Sequence, residues 1–298
     1  MNYRNKTCFD WADYKRNSIS SIQSLDFMDS LKSKLFMDDI KNVIIRNINN
    51  QLGIVIQHIN DIDYEFVNKI VNEIVKELNL ELKYFAFHQE NNGIYTKKCN
   101  YIKFKDQFLE FEYSNKKILL LPDSFFQPNI KMLDQYYNFF RDCINFTKCK
   151  NMINIGDDGG NIGTILSNEF NSILCYLHCP LTVECLKNMI FENNLKNVSY
   201  CTKLDDLIDN TSSTSSTKTL VFINPGRNGL KDKEHIYLGI KRFKFIIYMA
   251  CERKAFKKDF ERMNYEIINC QELTTMPNTK KKQVNYLLQI KSQIRCSK

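Results

Sequence analysis

No C-x-x-C pair occurs in this chain, and its four histidines (His58, His88, His178 and His235) form no H-x₃-H pair. Structural metals need ligands at such short, fixed spacings, so no metal site is expected. Cysteine itself is common, with 11 in 298 residues, but Cys175, Cys179 and Cys185 stand four and six apart, and Cys143 and Cys149 six apart. Long apolar runs are also missing. FKFIIYMA (243–250) is among the longest, far short of the roughly 20 residues that span a bilayer. The opening MNYRNKTCFDWADYKRNS mixes both charge signs and has no apolar block, so no secretory signal is expected. Asp10 and Asp13 argue against a mitochondrial leader. The expected setting is intracellular, cytoplasmic or mitochondrial, with reduced, mostly buried thiols and no membrane.

What is present indicates a folded chain. Hydrophobic residues make up 43%, and 298 residues suffice for two domains, each with its own core. The net charge of +8 suits a polyanionic partner, although a proteome rich in lysine and asparagine gives unrelated proteins the same bias. No internal repeat is visible.

Apolar periodicity predicts helical spacing over 17–52 and an amphipathic helix over 64–82, with Phe66, Val67, Ile70, Ile74, Val75 and Leu78 on one stripe. Between them, LGIVIQHI reads as a strand. KYFAFHQE, YIKFKD, QFLEFEY and KKILLLP follow as strands, broken by turns at Asn91-Asn92-Gly93 and Ser114-Asn115. After LPDSFFQPN the rhythm changes. A helix over 130–146 leads to the strand NMINI, the turn GDDGGNIG and a helix in GTILSNEF. SILCYLH, LTVECLKNMIFENNL and NVSYCTK then alternate strand, helix, strand; TLVFINP, KFIIYMA, YEIINCQEL and VNYLLQI follow as strands. Such an order fits a doubly wound sheet with ligands at the carboxyl ends of its strands. TSSTSST (211–217) reads as an unstructured polar insertion.

Five motifs, taken in order, resemble the RNA uracil-5-methyltransferases that make 5-methyluridine in tRNA and rRNA. SFFQPN (124–129) resembles the Phe-Gln-Asn signature, and INIGDDGGNIG (153–163) the first S-adenosylmethionine loop. LVFINPGRNGL (220–230) parallels an Asp-Pro-Pro-Arg-x-Gly turn, and IIYMACERKAFKKDF (246–260) the strand ending in Ser-Cys-Asn-Pro. MPNTKKKQVNYLL (276–288) parallels the closing Pro-x-Thr-x-His-x-Glu segment.

The resemblance implies an α/β fold: a Rossmann-like class I S-adenosylmethionine-dependent methyltransferase domain at 122–298, preceded by a smaller α+β domain at 1–121 that offers RNA contacts. It also implies the chemistry. A thiolate adds to carbon 6 of a flipped-out uracil, carbon 5 takes the methyl group, and a base removes the carbon 5 proton so that the thiol can leave. Cys251 stands at the nucleophile position. Gln127, Gly160, Asn161, Leu177 and Asn224 fall on cofactor-binding positions. Arg227 is placed as an RNA contact, with the lysine cluster Lys280, Lys281 and Lys282 beside the site, although such a run is more often a solvated loop end.

The family's acids are not kept at these positions. Asn154 ends the first strand, Leu177 replaces the glutamate that grips the ribose hydroxyls, Leu204 aligns with the adenine-side acid, and Asn224 replaces the turn's aspartate. Gln283 takes the general-base position, and an amide cannot accept a proton there. Asp157, Asp158, Glu184 and Asp205 lie near enough for one of them to substitute for a missing acid. Losing two charged hydrogen bonds removes about 3–6 kcal/mol, against about 8 for a micromolar ligand. Replacing a base forfeits about 10²–10⁴ in rate.

The expected function is therefore an RNA-binding protein of this family, acting on tRNA or rRNA, with methylation lost or much weakened. The alternative is an active enzyme that uses Cys251 with relocated cofactor contacts; a module unrelated to RNA is the third reading. S-adenosylmethionine is the cofactor if active and none otherwise, and association with the ribosome or a ribonucleoprotein fits the first reading. Cys8 and Cys99 are too few for the iron–sulfur site of some relatives. The relatives' separate β-barrel RNA-binding domain is expected to be absent.

Overall fold

The computed structural model describes residues 6–10, 21–89, 101–124, 126, 130–156, 160–177, 179–212, 214–226, 229–230, 240, 242–273 and 282–291. The chain divides into two compact units, Met1–Lys131 and Met132–Lys298.

In the first unit, the sheet runs in the order β1 (Lys6–Asp10), β2 (Ile40–Ile48), β3 (Gln51–His58), β4 (Glu81–Gln89), β5 (Tyr101–Asp106). All neighbours are antiparallel except β3 and β4, which helix α2 (Tyr64–Glu77) joins as a parallel crossover. Helix α1 (Ile22–Lys34) starts where the Ser21 hydroxyl accepts from the Ser24 N–H, and α2 where the Asp63 carboxylate accepts from Phe66 N–H at 2.9 Å. Val67, Ile70, Val71, Ile74 and Val75 form the buried stripe of α2; with Leu25, Phe27, Met28 and Leu31 of α1 they cover one sheet face. A hairpin of β6 (Leu109–Tyr113) and β7 (Lys116–Leu120) turns through Ser114 and Asn115, both left-handed.

Three readings of this region change. Residues 40–48 are a strand, because β2 is buried on both faces and its apolar spacing loses the alternation that marks strands. The helix at 64 ends at Glu77, since Asn79 adopts φ 50° and β4 begins at Glu81. Phe66 is half exposed.

The second unit is built on a seven-stranded sheet in the order β10 (Val198–Cys201), β9 (Ser172–Tyr176), β8 (Asn151–Ile155), β11 (Thr219–Ile223), β12 (Phe245–Ala250), β14 (Gln283–Ile290), β13 (Tyr265–Leu273). The first five strands are parallel; β14 runs antiparallel to both of its neighbours. Helix α3 (Leu133–Thr147) lays Phe140 on Phe222 of one sheet face, and α4 (Asn161–Ile165) packs on the same face against Cys175. Helix α5 (Pro180–Glu192) packs beside α4. On the opposite face, Leu207 of α6 (Leu204–Ser212) and Phe256 of α7 (Arg253–Arg262) share a core with Ile153, Val221, Ile223 and Tyr248. β13 forms an edge and carries a bulge between Ile267 and Asn269.

Two further readings are corrected here. The helix expected in 163–170 is shorter and earlier, with a 3₁₀ turn at Ser167–Glu169. Residues 211–212 of the polar run end α6 instead of lying in a loop. No described helix is long and apolar enough to cross a membrane.

Candidate functional site

Strand order reverses about β8, with β9 on one side and β11 on the other, so a crevice is expected beyond their carboxyl ends. Gly156 follows β8 at φ 138° and donates its N–H to the Tyr176 carbonyl at 3.3 Å. A Cβ on Gly156 would lie 2.4 Å from the Asn224 carbonyl oxygen, so only glycine fits where these strand ends converge. Asn224 is buried and donates its N–H to the Ile155 carbonyl at 2.9 Å. Gly160 precedes α4, and the buried Asn161 opens it. Leu177 continues the ladder with an N–H bond to the Cys201 carbonyl at 3.1 Å, and its side chain is 0% exposed.

The strand and helix ends bring Gly160, Asn161, Leu177 and Asn224 to one end of the sheet. Their chemistry is neutral. Asn154 lies one residue before the end of β8, and Leu177 and Asn224 directly follow β9 and β11; all three are buried. A buried leucine accepts no hydrogen bond, so among the described residues Leu177 offers no acceptor to a sugar hydroxyl at the β9 end. Leu204 and Asp205 open α6, and Glu184 lies on α5.

At the other end, Cys251 follows β12 and is exposed. The β12–β14 ladder ends at Ala250 opposite Val284, so one further step sets Cys251 opposite Gln283. Gln283 is buried, and its Nε2 donates to Tyr136 Oη at 3.2 Å and to Asn285 Oδ1 at 3.3 Å. Asn285 donates to Gln271 Oε1 at 3.5 Å, and Gln271 to the Gln135 carbonyl at 3.1 Å. Tyr136 donates onward to Met249 Sδ. This network is composed for an amide. A carboxylate at position 283 would set acceptor against acceptor at Asn285.

Other thiols differ from Cys251. Burial, reinforced by Asp142, pushes Cys143 up to about 12, and burial with Asp206 pushes Cys201 up to about 11. Cys149, Cys175 and Cys185 are buried as well; among the described cysteines only Cys8, Cys251 and Cys270 are exposed.

Sequence reasoning missed Asp259. Its buried carboxylate accepts from the Leu230 N–H at 2.7 Å and from the Tyr248 hydroxyl. Burial first, then Asp259, and more weakly the charge of Cys251, push the Tyr248 phenol far above its ordinary range. Gly229 sits at φ 68°, and a Cβ there would meet Asp259 Oδ2 at 2.5 Å. One carboxylate thus ties Leu230, β12 and α7 together. The available signal was an acid on the apolar face of α7, in the row of Phe256, Phe260 and Met263.

Glu272 on β13 accepts from both Arg253 and Lys282, the residues two after Cys251 and one before Gln283. Gln127, Arg227, Lys280, Lys281 and His178 lie outside the described residues, as do Asp157 and Asp158. No described group of three or more His, Cys, Asp or Glu side chains is placed to hold a metal ion.

No family model matches the chain. It is 26% identical over 306 residues to a tRNA/tmRNA (uracil-C(5))-methyltransferase of Campylobacter lari, covering 95% of this chain and 82% of the relative. It is 25% identical over 188 residues to the 23S rRNA (uracil(747)-C(5))-methyltransferase RlmC of Escherichia coli, covering 62% of this chain and 49% of the relative. The chain is a distant homologue of the RNA uracil-C5-methyltransferases. It spans about half the length of several of the curated relatives it matches. A solved tRNA (uracil-54, C5)-methyltransferase of Pyrococcus abyssi, in complex with S-adenosyl-L-homocysteine, superposes with a TM-score of 0.71 at 13% identity, covering 96% of this chain and 74% of that one. The second unit of this homologue has the class I S-adenosylmethionine-dependent methyltransferase fold.

Proposed function

We propose that this protein binds tRNA or rRNA through the uracil-methyltransferase scaffold and has lost most or all of its methyl-transfer activity. The observation that carries this reading is Gln283. It stands one residue beyond Val284, which pairs with Ala250 beside the nucleophile position, yet its side chain is an amide held in a buried network of amides and a phenol. A carboxylate base in that seat would remove the carbon 5 proton; an amide has no basicity to offer at ordinary pH. Leu177 supports the reading at the cofactor end, where it presents methyl groups in place of an acceptor.

The exposure of Cys251 favours a second reading, an active uracil-5-methyltransferase with relocated cofactor contacts. One titration separates the two. Isothermal calorimetry with S-adenosylmethionine should show no binding at micromolar concentrations, while a labelled tRNA transcript should bind. Micromolar affinity for the cofactor, followed by methyl incorporation into the transcript, would establish the enzyme instead. With 5-fluorouridine RNA, a Cys251-dependent band on a denaturing gel would report thiol addition to carbon 6, separately from turnover.

A further inference from the structure

We infer that the outer face of α7 is the surface that holds the RNA phosphate backbone beside Cys251. This rests on the RNA-binding reading and adds its location. The helix RKAFKKDFER has five basic residues and two acids in ten positions, and one of those acids, Asp259, is turned inward to Leu230 and Tyr248. Phe256 is buried on the same side, stacked on Tyr286 with ring centroids 3.8 Å apart. What remains outside are two rows at i, i+4 spacing, Arg253–Lys257–Glu261 and Lys254–Lys258–Arg262. Lys257 pairs with Glu261 at 3.9 Å, and Arg253 with Glu272. Lys254 and Lys258 are exposed and carry no ion pair to any described residue.

Local physics does not favour this helix. Its first turn has two cations and no acid, where the helix dipole disfavours positive charge. Glu252 at the N-cap makes no side-chain cap bond. Lys254 and Lys258 repel each other one turn apart. A sequence that breaks several local rules within one turn, next to an exposed thiol, fits a surface whose charge is answered by something outside the chain. A polyanion with regularly spaced charges answers two parallel rows of cations, and a flipped uracil at Cys251 would lead its flanking phosphates over the first turn of α7.

The test uses the full chain and a fluorescently labelled tRNA transcript, with anisotropy read across a salt series. Lys254→Glu/Lys258→Glu should weaken binding on the order of tenfold near 0.1 M salt and flatten the salt dependence by roughly 0.7–0.9 per lysine. Its melting temperature should hold or rise, since an acid in the first turn suits the dipole; a merely structural role predicts a fall. Wild-type binding with an unchanged salt slope in the double variant would overturn the α7 assignment and leave RNA binding in place. If the wild type fails to bind the transcript even at low salt, both readings fall. Lysine-dependent binding to phosphatidylserine vesicles without tRNA binding would reassign the face to an anionic membrane.

Discussion

The carboxyl edge of the second unit's sheet has two halves, and they differ in kind. Near the ends of β8, β9 and β11, Asn154, Leu177 and Asn224 are buried and neutral. At β12 and β14 the Cys251 thiol is exposed, and Arg253 and Lys282, near Cys251 and Gln283 in the chain, both pair with Glu272. The first half has the shape of a nucleotide crevice with its charge removed. The second still presents a reactive atom to solvent, beside a basic surface.

The sharpest way to break that contrast is Leu177→Glu. If the β9 end is sealed by packing, a carboxylate there is buried without a partner and should cost on the order of 3–5 kcal/mol in urea unfolding. Wild-type stability together with gained affinity for S-adenosylmethionine would mean that the crevice is open and only its chemistry was changed. Asp259→Asn tests the other half. Tyr248 and Leu230 lose a charged acceptor, and the expected loss is about 2–3 kcal/mol by the same measurement.

Alkaline unfolding gives a smaller, graded effect. The thiols of Cys143 and Cys201 are raised by the fold from an ordinary value of 9.0, so the stability they confer is full below pH 9. It declines as pH rises toward their folded values of about 12 and about 11, because the unfolded chain releases those protons first. Between pH 9 and 10 each should remove about 1 kcal/mol, and Cys143→Ala should flatten the slope. The smallest effect is expected at Cys251→Ser. Stability should stay within about 0.5 kcal/mol, while the fast phase of maleimide labelling at pH 8 should lose one exposed thiol. A large loss of stability there would contradict the open half of the comparison.

The second unit was largely legible because its parallel strands are short apolar runs closed by glycine and asparagine turns, and a sheet covered on both faces writes itself that way. The same burial misled the reading at 40–48. IKNVIIRNI is buried on both faces and has apolar residues at spacings that a helix also shows. Arg46 sits within it, fully buried, and donates to the carbonyls of Pro122 and Ser124, contacts 76 and 78 residues away that no local pattern announces. The candidate site divides likewise. Cys251, Gln283 and Leu177 were singled out from motif order. The amide network around Gln283 and the bond between Asp259 and Tyr248 were not, because Tyr136, Gln271 and Asn285 join only when three distant segments meet.

The bulge in β13 also bears on how the molecule behaves at high concentration. An outermost strand offers unsatisfied backbone groups to any neighbour, and this one leaves Ile267 and Ile268 in solvent as well. A bulge at this point, between Ile267 and Asn269, breaks the even spacing of those groups, which works against a second strand adding in register along the rim.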